Sequence, residues 1–289
     1  MANRIKDFLY KNKTNEEFTY LNLPRKRKDV FLRLFRFSFS KLLLLSLFCS
    51  IFFLFSFTWR ILFDTYLLRL DIESEDYFNT YFTLTVYYST PVRLVLNIIS
   101  FIGLSGLIYS IRILCWGMPY KLTHTFFRGV KLSFKEYFIS SIVYTIVSTI
   151  YDLVFKYLSL NLYDSIIINI LLYSLLIISA VIVGTMFIYS LTMSSLYQMR
   201  SINKLKYSFI LSIKYYFKNL GIIAISLLIF IVPFLIRNVL FELVSIGLLI
   251  LIGFSYVSLI IVLYTNSIYD KHININDYKD YYRKGLSIE

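Results

Sequence analysis

Long stretches without a charged residue constrain this 289-residue chain more than any other feature. No charge occurs between Lys41 and Arg60, and none between Asp164 and Arg200. About 20 consecutive apolar residues are enough for an α-helix to cross the hydrocarbon core of a bilayer. Because 58% of the residues are hydrophobic and only 16% are charged, a soluble domain of this length could not bury them all. The sequence therefore predicts an all-α, polytopic membrane protein.

Six apolar segments predict a bundle of six transmembrane helices. They cover about residues 42–63, 92–115, 137–158, 166–197, 220–236 and 239–265. This divides the chain into a basic N-terminal segment (1–41), a six-span transmembrane domain (42–265) and a C-terminal tail (266–289). The connection between the last two segments is so short that a single re-entrant hairpin is an alternative to two full crossings.

The charges of the connecting segments alternate along the chain. Residues 1–41 hold eleven Lys and Arg against four acids, whereas residues 64–90 hold one Arg and five acids, among them Asp71, Glu73 and Glu75. Residues 112–136 are basic again, with five Lys or Arg and one acid. Because cytoplasmic loops carry the excess of Lys and Arg, both termini are predicted to be cytoplasmic. The Asn-, Ile-, Lys-, Phe- and Tyr-rich composition indicates an AT-rich bacterial genome, and so the cell membrane.

The net charge of +13 follows from this topology, since the cytoplasmic segments face anionic lipid headgroups. Nucleic-acid binding would need a basic patch on a soluble fold, and no segment is large enough to form one. Membrane lipids, anionic at the cytoplasmic face, are therefore the expected partners, and a nucleic acid is not.

A short basic and aromatic phrase occurs twice, as "LSFKEYF" (Leu132–Phe138) and "LSIKYYF" (Leu211–Phe217). Each copy ends an amphipathic stretch before a predicted inside-to-outside span, and a third such stretch precedes the first span. Helices of this kind lie in the inner interface, with rings among the acyl chains and cations at the headgroups. Two interpretations of the three amphipathic stretches are open. They are anchors that set the membrane topology, or they form a docking surface for acidic lipid or a cytoplasmic partner. The docking candidates are Arg33, Arg36, Arg128, Lys131, Lys135, Lys204, Lys214 and Lys218.

The arrangement around the two phrases indicates two parallel copies of one helical hairpin, formed by the second and third spans and by the fourth and fifth. The first and the sixth spans would then close the bundle.

Ionisable residues near the predicted outer ends of spans form two pairs at helical spacing. Arg60 and Asp64 end the first span, and Asp152 and Lys156 end the third. Each pair can close as a local salt bridge on its own helix. Their position near the interface favours the interpretation as local salt bridges. A substrate or ion site on the outer side is the alternative.

Motifs for enzyme chemistry are not found. There is no nucleophile elbow, phosphate-binding loop or zinc-binding helix. The only histidines, His124 and His272, lack ligand spacing, and Cys49 and Cys115 are expected to be inert buried thiols. We therefore expect a protein that is not an enzyme, with no catalytic, cofactor-binding or metal-ligating residue and no cofactor.

The stretches "FFRGVKLSFKEYFISSIVYTI" (Phe126–Ile146) and "KLKYSFILSIKYYFKNLGIIAISLLIFIVPFLI" (Lys204–Ile236) resemble the layout of a group of bacterial six-helix membrane proteins. That group includes the membrane domain fused to some glycerophosphodiester phosphodiesterases and related uncharacterised families. Small membrane proteins encoded beside sugar-uptake transporters are a related alternative. The resemblance implies an architecture and no reaction, because no extramembrane segment is long enough for a catalytic barrel.

Three functions fit these observations. The first is a non-enzymatic accessory or scaffold protein that contacts acidic lipids or a cytoplasmic partner. The second is the permease subunit of an ATP-driven transporter, with residues 121–135 or 200–214 contacting a cytoplasmic ATPase. The third is a lipid-handling membrane protein.

Overall fold

The structure is a computed structural model that describes residues 23–70, 76–161, 165–235 and 239–287, with the side chains of residues 228–243 also left undescribed. Asp71, Glu73 and Glu75 of the acidic segment lie outside these ranges. Of the described residues 86% are helical, and none of them lies in a strand. This confirms the prediction of an all-α protein.

Ten α-helices follow one another in the described ranges. They are α1 (Arg27–Phe37), α2 (Phe39–Leu67), α3 (Tyr77–Thr83), α4 (Thr90–Cys115), α5 (Leu122–Leu160), α6 (Ile166–Ser194), α7 (Ser201–Lys214), α8 (Tyr216–Leu235), α9 (Val239–Leu248) and α10 (Phe254–Tyr269). Wider π-helical turns join α3 to α4 (Leu84–Ser89) and α9 to α10 (Leu249–Gly253), and a third extends α10 (Asp270–Asn274).

Five helical segments of the described chain are long and apolar enough to cross a membrane. They are Phe39–Leu67, Tyr77–Cys115, Leu122–Leu160, Ile166–Ser194 and Val244–Asn274. Helix α7 and residues Tyr216–Leu227 of α8 meet at 88° and together make a sixth candidate. The prediction of helices long and apolar enough to cross a membrane is confirmed, and the described residues contain five or six of them.

The two copies of the repeated phrase have different structures. The first lies within α5, an unbroken helix of 39 residues, so the stretch predicted as a separate interfacial helix continues directly into the span. The second contains the bend between α7 and α8. The copies differ at their fifth position, where α5 has Glu136 and the bend has Tyr215. The two helical hairpins are therefore not equivalent in shape.

The Asn219 side chain forms a hydrogen bond with a backbone carbonyl at the end of α7. Its amide nitrogen donates to the Ser212 carbonyl at 3.1 Å, and the Tyr189 hydroxyl donates to its amide oxygen at 2.7 Å. A helix end leaves carbonyl groups without intrahelical partners, and in an apolar environment such groups require a donor. A buried side chain thus supports the bend, which the apolar pattern of residues 201–227 does not reveal.

By its internal contacts the chain divides into two compact units. The first unit comprises residues 1–50, 106–131 and 221–289, and the second comprises residues 51–105 and 132–220. Each unit is therefore assembled from separate parts of the sequence.

In the first unit, residues that precede α2 contact residues that follow α10. The guanidinium of Arg27 binds the Asp270 carboxylate at 2.8 Å and the Lys284 carbonyl at 2.9 Å. The Ser287 backbone N–H donates to the Pro24 carbonyl at 3.1 Å. We call this set of contacts the terminal clasp. Because of it, part of the segment predicted as a C-terminal tail is packed against the unit.

An aromatic contact fixes the same segment. The rings of Trp116 and Tyr281 stack at 5.7 Å between centroids, and the Lys284 ammonium lies 4.5 Å from the Trp116 ring. Gly285 has a positive φ of 81°, and a Cβ there would lie 2.6 Å from the Cys115 carbonyl oxygen. Only glycine permits this close approach of two backbones without strain.

The second unit has a core of small and polar side chains. On α5, buried residues recur at every fourth position, as Ser133, Tyr137, Ser141, Thr145 and Thr149. In a lipid bilayer the hydrophobic effect does not drive helices together, because the lipid tails are themselves apolar. Small side chains instead allow close packing of helices, and hydroxyl groups donate hydrogen bonds to backbone carbonyls. This buried row faces the packed side of α5, while Val143, Ile146 and Ile150 are exposed.

Candidate ligand site

The paired ionisable residues line one cavity of about 180 Å³ in the second unit. Arg60 and Asp64 reach it from the last turns of α2, Arg93 from α4, and Asp152 and Lys156 from α5. The sequence treats these residues as separate local features, but the fold brings them together. We call this cavity the polar pocket.

The strongest ion pair of the pocket joins two helices. Arg93 Nη1 lies 2.7 Å from Asp152 Oδ2, and Arg93 Nη2 donates to Ser148 Oγ at 3.2 Å. The side chains of Arg93 and Asp152 are 20% and 34% exposed. The expected pairing of Asp152 with Lys156 on the same helix is therefore replaced, because a planar guanidinium across the interface offers shorter, better-aligned bonds.

Lys156 lies instead over aromatic rings. Its ammonium is 4.8 Å from the centroid of Tyr77 and 5.6 Å from that of Tyr81, both on α3. These distances are typical of cation–π contacts. Within the described residues no carboxylate pairs with Lys156.

Arg60 and Asp64 form the predicted pair within α2. Arg60 Nε lies 3.7 Å from Asp64 Oδ2, and both side chains are largely exposed. Exposed pairs of this kind are weak, so both groups can turn toward another partner at small cost.

The π-helical turn Leu84–Ser89 forms one wall of the polar pocket. It places Thr85 and Ser89 on the pocket side, and the Trp59 indole donates to the Ser89 hydroxyl at 3.4 Å. Such turns insert one residue into a helix and occur often at functional sites. Together with α3 and α4 this turn forms one continuous helical segment, Tyr77–Cys115, whereas the sequence predicted a loop up to about residue 91.

A second, larger cavity of about 370 Å³ adjoins the polar pocket within the same unit. Its lining is mostly apolar and comes from α2, α4, α5 and α6, with Phe57, Phe101 and Ile188 among its residues. A few polar groups, including Ser56 and Asn97, interrupt the apolar surface, and these are already bonded to the hydroxyls of Ser100 and Thr145. We call this cavity the apolar groove.

The two cavities share Trp59, Arg60 and Arg93. The charged groups are thus at one end of a continuous surface and the apolar lining is at the other. This arrangement can hold a molecule with a polar end and an apolar end, since cavities of about 300–1,000 Å³ with few polar groups are typical ligand sites.

The predicted docking cations occupy both units. Arg36, Arg128, Lys131, Lys135, Lys214 and Lys218 are exposed, and Arg33 is half-buried. Lys218 and Lys214 approach the Tyr215 ring at 5.4 and 6.0 Å beside the α7–α8 bend. Contact of these residues with acidic lipid, or with a cytoplasmic ATPase or another partner, stays a prediction.

Lys204 contradicts its predicted role as a headgroup cation. It is buried, and its ammonium lies 2.5 and 2.6 Å from the two carboxylate oxygens of Glu136 on α5. The buried side of α7 carries Lys204 with Ser208, Leu211 and Ser212, and the apolar residues Ile202, Leu205, Phe209 and Ile213 are exposed. A charge on the packed side needs a counter-charge, and Glu136 supplies it.

Comparison of the chain with protein-family profiles, with curated proteins and with solved structures finds no match. The resemblance to bacterial six-helix membrane proteins therefore stays a prediction.

Sequence reasoning missed the polar contacts between α4 and α5. Besides Arg93 with Asp152, Asn97 donates to Thr145 at 2.9 Å, and the Thr90 and Thr149 hydroxyls lie 3.2 Å apart. From Thr90 to Asn97 on α4 the partner on α5 changes from Thr149 to Thr145, as antiparallel packing requires. A signal was present, since the polar residues of both segments recur at helical spacing and complement one another.

Proposed function

We propose that this chain is a non-enzymatic integral membrane protein that binds one membrane lipid, with the headgroup in the polar pocket and acyl chain in the apolar groove. The observation that supports this most directly is the lining shared by the two cavities, Trp59, Arg60 and Arg93. A small hydrophilic substrate would gain nothing from the groove, and a wholly apolar one would leave the charges of the pocket unused.

Access from the bilayer supports the same proposal. Gly184 of α6 lines the groove and is itself exposed, and a Cβ at this position would meet no atom within 4 Å. Tyr144 and Phe57 line the groove and are also exposed. An acyl chain could therefore enter sideways from the membrane, without leaving an apolar environment.

The terminal clasp supports the proposed orientation of the chain. Residues before the first span contact residues near the end of the last one in the first unit, and this contact supports an even number of crossings with both ends on the same side of the membrane. The bent pair of α7 and α8 then makes the sixth crossing. With the basic segments in the cytoplasm of a bacterial cell, the polar pocket belongs to the outer leaflet.

Native mass spectrometry of the full chain, extracted gently with its lipids, tests the proposal. We expect one lipid to remain bound, and Gly184→Leu to lower its occupancy because the new side chain fills the groove. Gly247→Leu is the matched control, since Gly247 is also a helical glycine with open space around its Cβ but lies outside both cavities. Equal lipid occupancy in both variants would contradict the proposal.

A further inference from the structure

We propose that the headgroup held in the polar pocket is an anionic phosphodiester without an amine, as in phosphatidylglycerol. This inference rests on the proposed lipid-binding function and specifies its ligand. It follows from which charges of the pocket already have partners and which do not.

The described residues that line the pocket include three cations and two carboxylates. Asp152 is bonded to Arg93 at 2.7 Å, and Asp64 is next to Arg60 at 3.7 Å. Among the described residues no carboxylate lies within salt-bridge distance of Lys156, whose ammonium contacts the rings of Tyr77 and Tyr81. The charges of the described residues thus leave an excess of one positive charge, and a half-buried cation is stabilised by a counter-charge, so the pocket favours a ligand with one negative charge.

The donors of the pocket suit a phosphate group. The Asp152 and Ser148 contacts fix the plane of the Arg93 guanidinium and use two of its N–H groups, so others remain for a ligand. The ammonium of Lys156 brings three further donors, and Arg60 brings a second guanidinium on a flexible, exposed side chain. Guanidinium and ammonium groups bind phosphate oxygens by short, charge-assisted hydrogen bonds.

The carboxylates argue against a zwitterionic headgroup. A zwitterionic headgroup has no net charge, so it would leave the excess positive charge of the pocket uncompensated. The ammonium of phosphatidylethanolamine would also have to compete with Arg60 for Asp64, because Arg93 holds Asp152 at 2.7 Å. The uncharged hydroxyls of a glycerol headgroup need no such counter-charge. The groove that continues from the pocket favours a lipid over a soluble phosphate, because only a lipid fills both.

The test offers the delipidated full chain an equimolar mixture of phosphatidylglycerol, phosphatidylethanolamine and diacylglycerol with identical acyl chains. Native mass spectrometry then counts the bound species. We expect phosphatidylglycerol to exceed each competitor about tenfold, the ratio that one charge-assisted hydrogen bond supplies. Lys156→Gln should abolish this preference and Lys156→Arg should keep it. Lys279→Gln, which removes an exposed cation outside both cavities, should also keep it.

The outcomes separate the two proposals. Retention of one lipid with no headgroup preference, or with a preference for phosphatidylethanolamine, overturns the phosphodiester inference and leaves lipid binding intact. A preference that survives Lys156→Gln overturns the inference as well. Retention of no lipid at all removes the proposed function. A separate arm adds millimolar glycerophosphoglycerol without lipid, and binding of this soluble headgroup as tight as that of the lipid would overturn the lipid as its source.

Discussion

Lys204 places a positive charge where only 3% of its side chain is exposed, and Glu136, at 28%, is its partner. Both carboxylate oxygens contact the ammonium, so the pair joins α7 to α5 at a defined register. Among the five basic residues of the segment 200–218, the sequence offers nothing that singles out this one. The role of Lys204 depends on which side of α7 packs against α5.

The loss of one partner should therefore be more harmful than the loss of both. We expect Lys204→Met to lower the free energy of unfolding by about 3 kcal/mol, because it leaves a partly buried carboxylate without its counter-charge. The double variant Lys204→Met/Glu136→Leu should recover most of that loss. Equilibrium unfolding in mixed micelles measures both values. Equal destabilisation by the single and the double variant would show that the charge itself is unimportant.

Two glycines in the second unit offer a matched pair for close packing. A Cβ at Gly103 of α4 would lie 2.6 Å from the Cβ of Phe52 on α2, whereas one at Gly184 would meet nothing within 4 Å. We expect Gly103→Ala to destabilise the protein by about 1–3 kcal/mol through overpacking. Gly184→Ala should be neutral or slightly stabilising, since alanine is the better helix former. Thermal unfolding of the two variants in the same detergent measures the difference, and an equal shift in both would argue against the close contact.

At the scale of helices, the bend between α7 and α8 depends on a side chain that replaces a missing backbone bond. Asn219 donates to the Ser212 carbonyl and is itself positioned by Tyr189 from α6. The same phrase in α5 has no bend, and Glu136 instead contacts α7. Two similar sequences thus give a straight helix and a broken one, because their partners on neighbouring helices differ.

Substitutions at this bend should distinguish the contribution of the Asn219–Ser212 hydrogen bond from that of the Tyr189–Asn219 hydrogen bond. Asn219→Leu is expected to cost about 1–3 kcal/mol, since it leaves a buried carbonyl with one donor fewer. Tyr189→Phe should cost only about 0.6 kcal/mol, a common value for a hydrogen bond between membrane helices. Hydrogen exchange should increase at the end of α7 in the Asn219 variant. Unchanged exchange there would show that the bend does not need this side chain.

At the scale of the whole chain, the number of crossings decides on which side the two ends lie. Cys49 and Cys115 are buried, so cysteines introduced at exposed positions can be labelled against a low background. With six crossings we expect a membrane-impermeant maleimide to label Arg69→Cys in intact cells, and Lys28→Cys and Asn276→Cys only after permeabilisation. Labelling of Lys28→Cys and Asn276→Cys from opposite sides would mean five crossings.

The sequence predicted the helical membrane class and the approximate position of every apolar segment, because these depend on composition along the chain alone. It missed the continuous helix from Tyr77, the bend at Tyr215 and the burial of Lys204. Each of these depends on partners distant in sequence, such as Asn219 with Tyr189. The same holds for the polar pocket, since the sequence singled out Arg60, Asp64, Asp152 and Lys156 as two local pairs and the fold places them in one cavity.

The terminal clasp has a consequence for biosynthesis. Arg27 and Asp270 are 243 positions apart, so this contact can form only after the 243 residues that follow Arg27 have been translated. At roughly 5–20 residues per second, that interval is on the order of 10–50 s. During this time the Arg27 guanidinium lacks the Asp270 carboxylate, and the first unit is incomplete while the intervening helices enter the bilayer. A chain that ends before Asp270 could not form the terminal clasp.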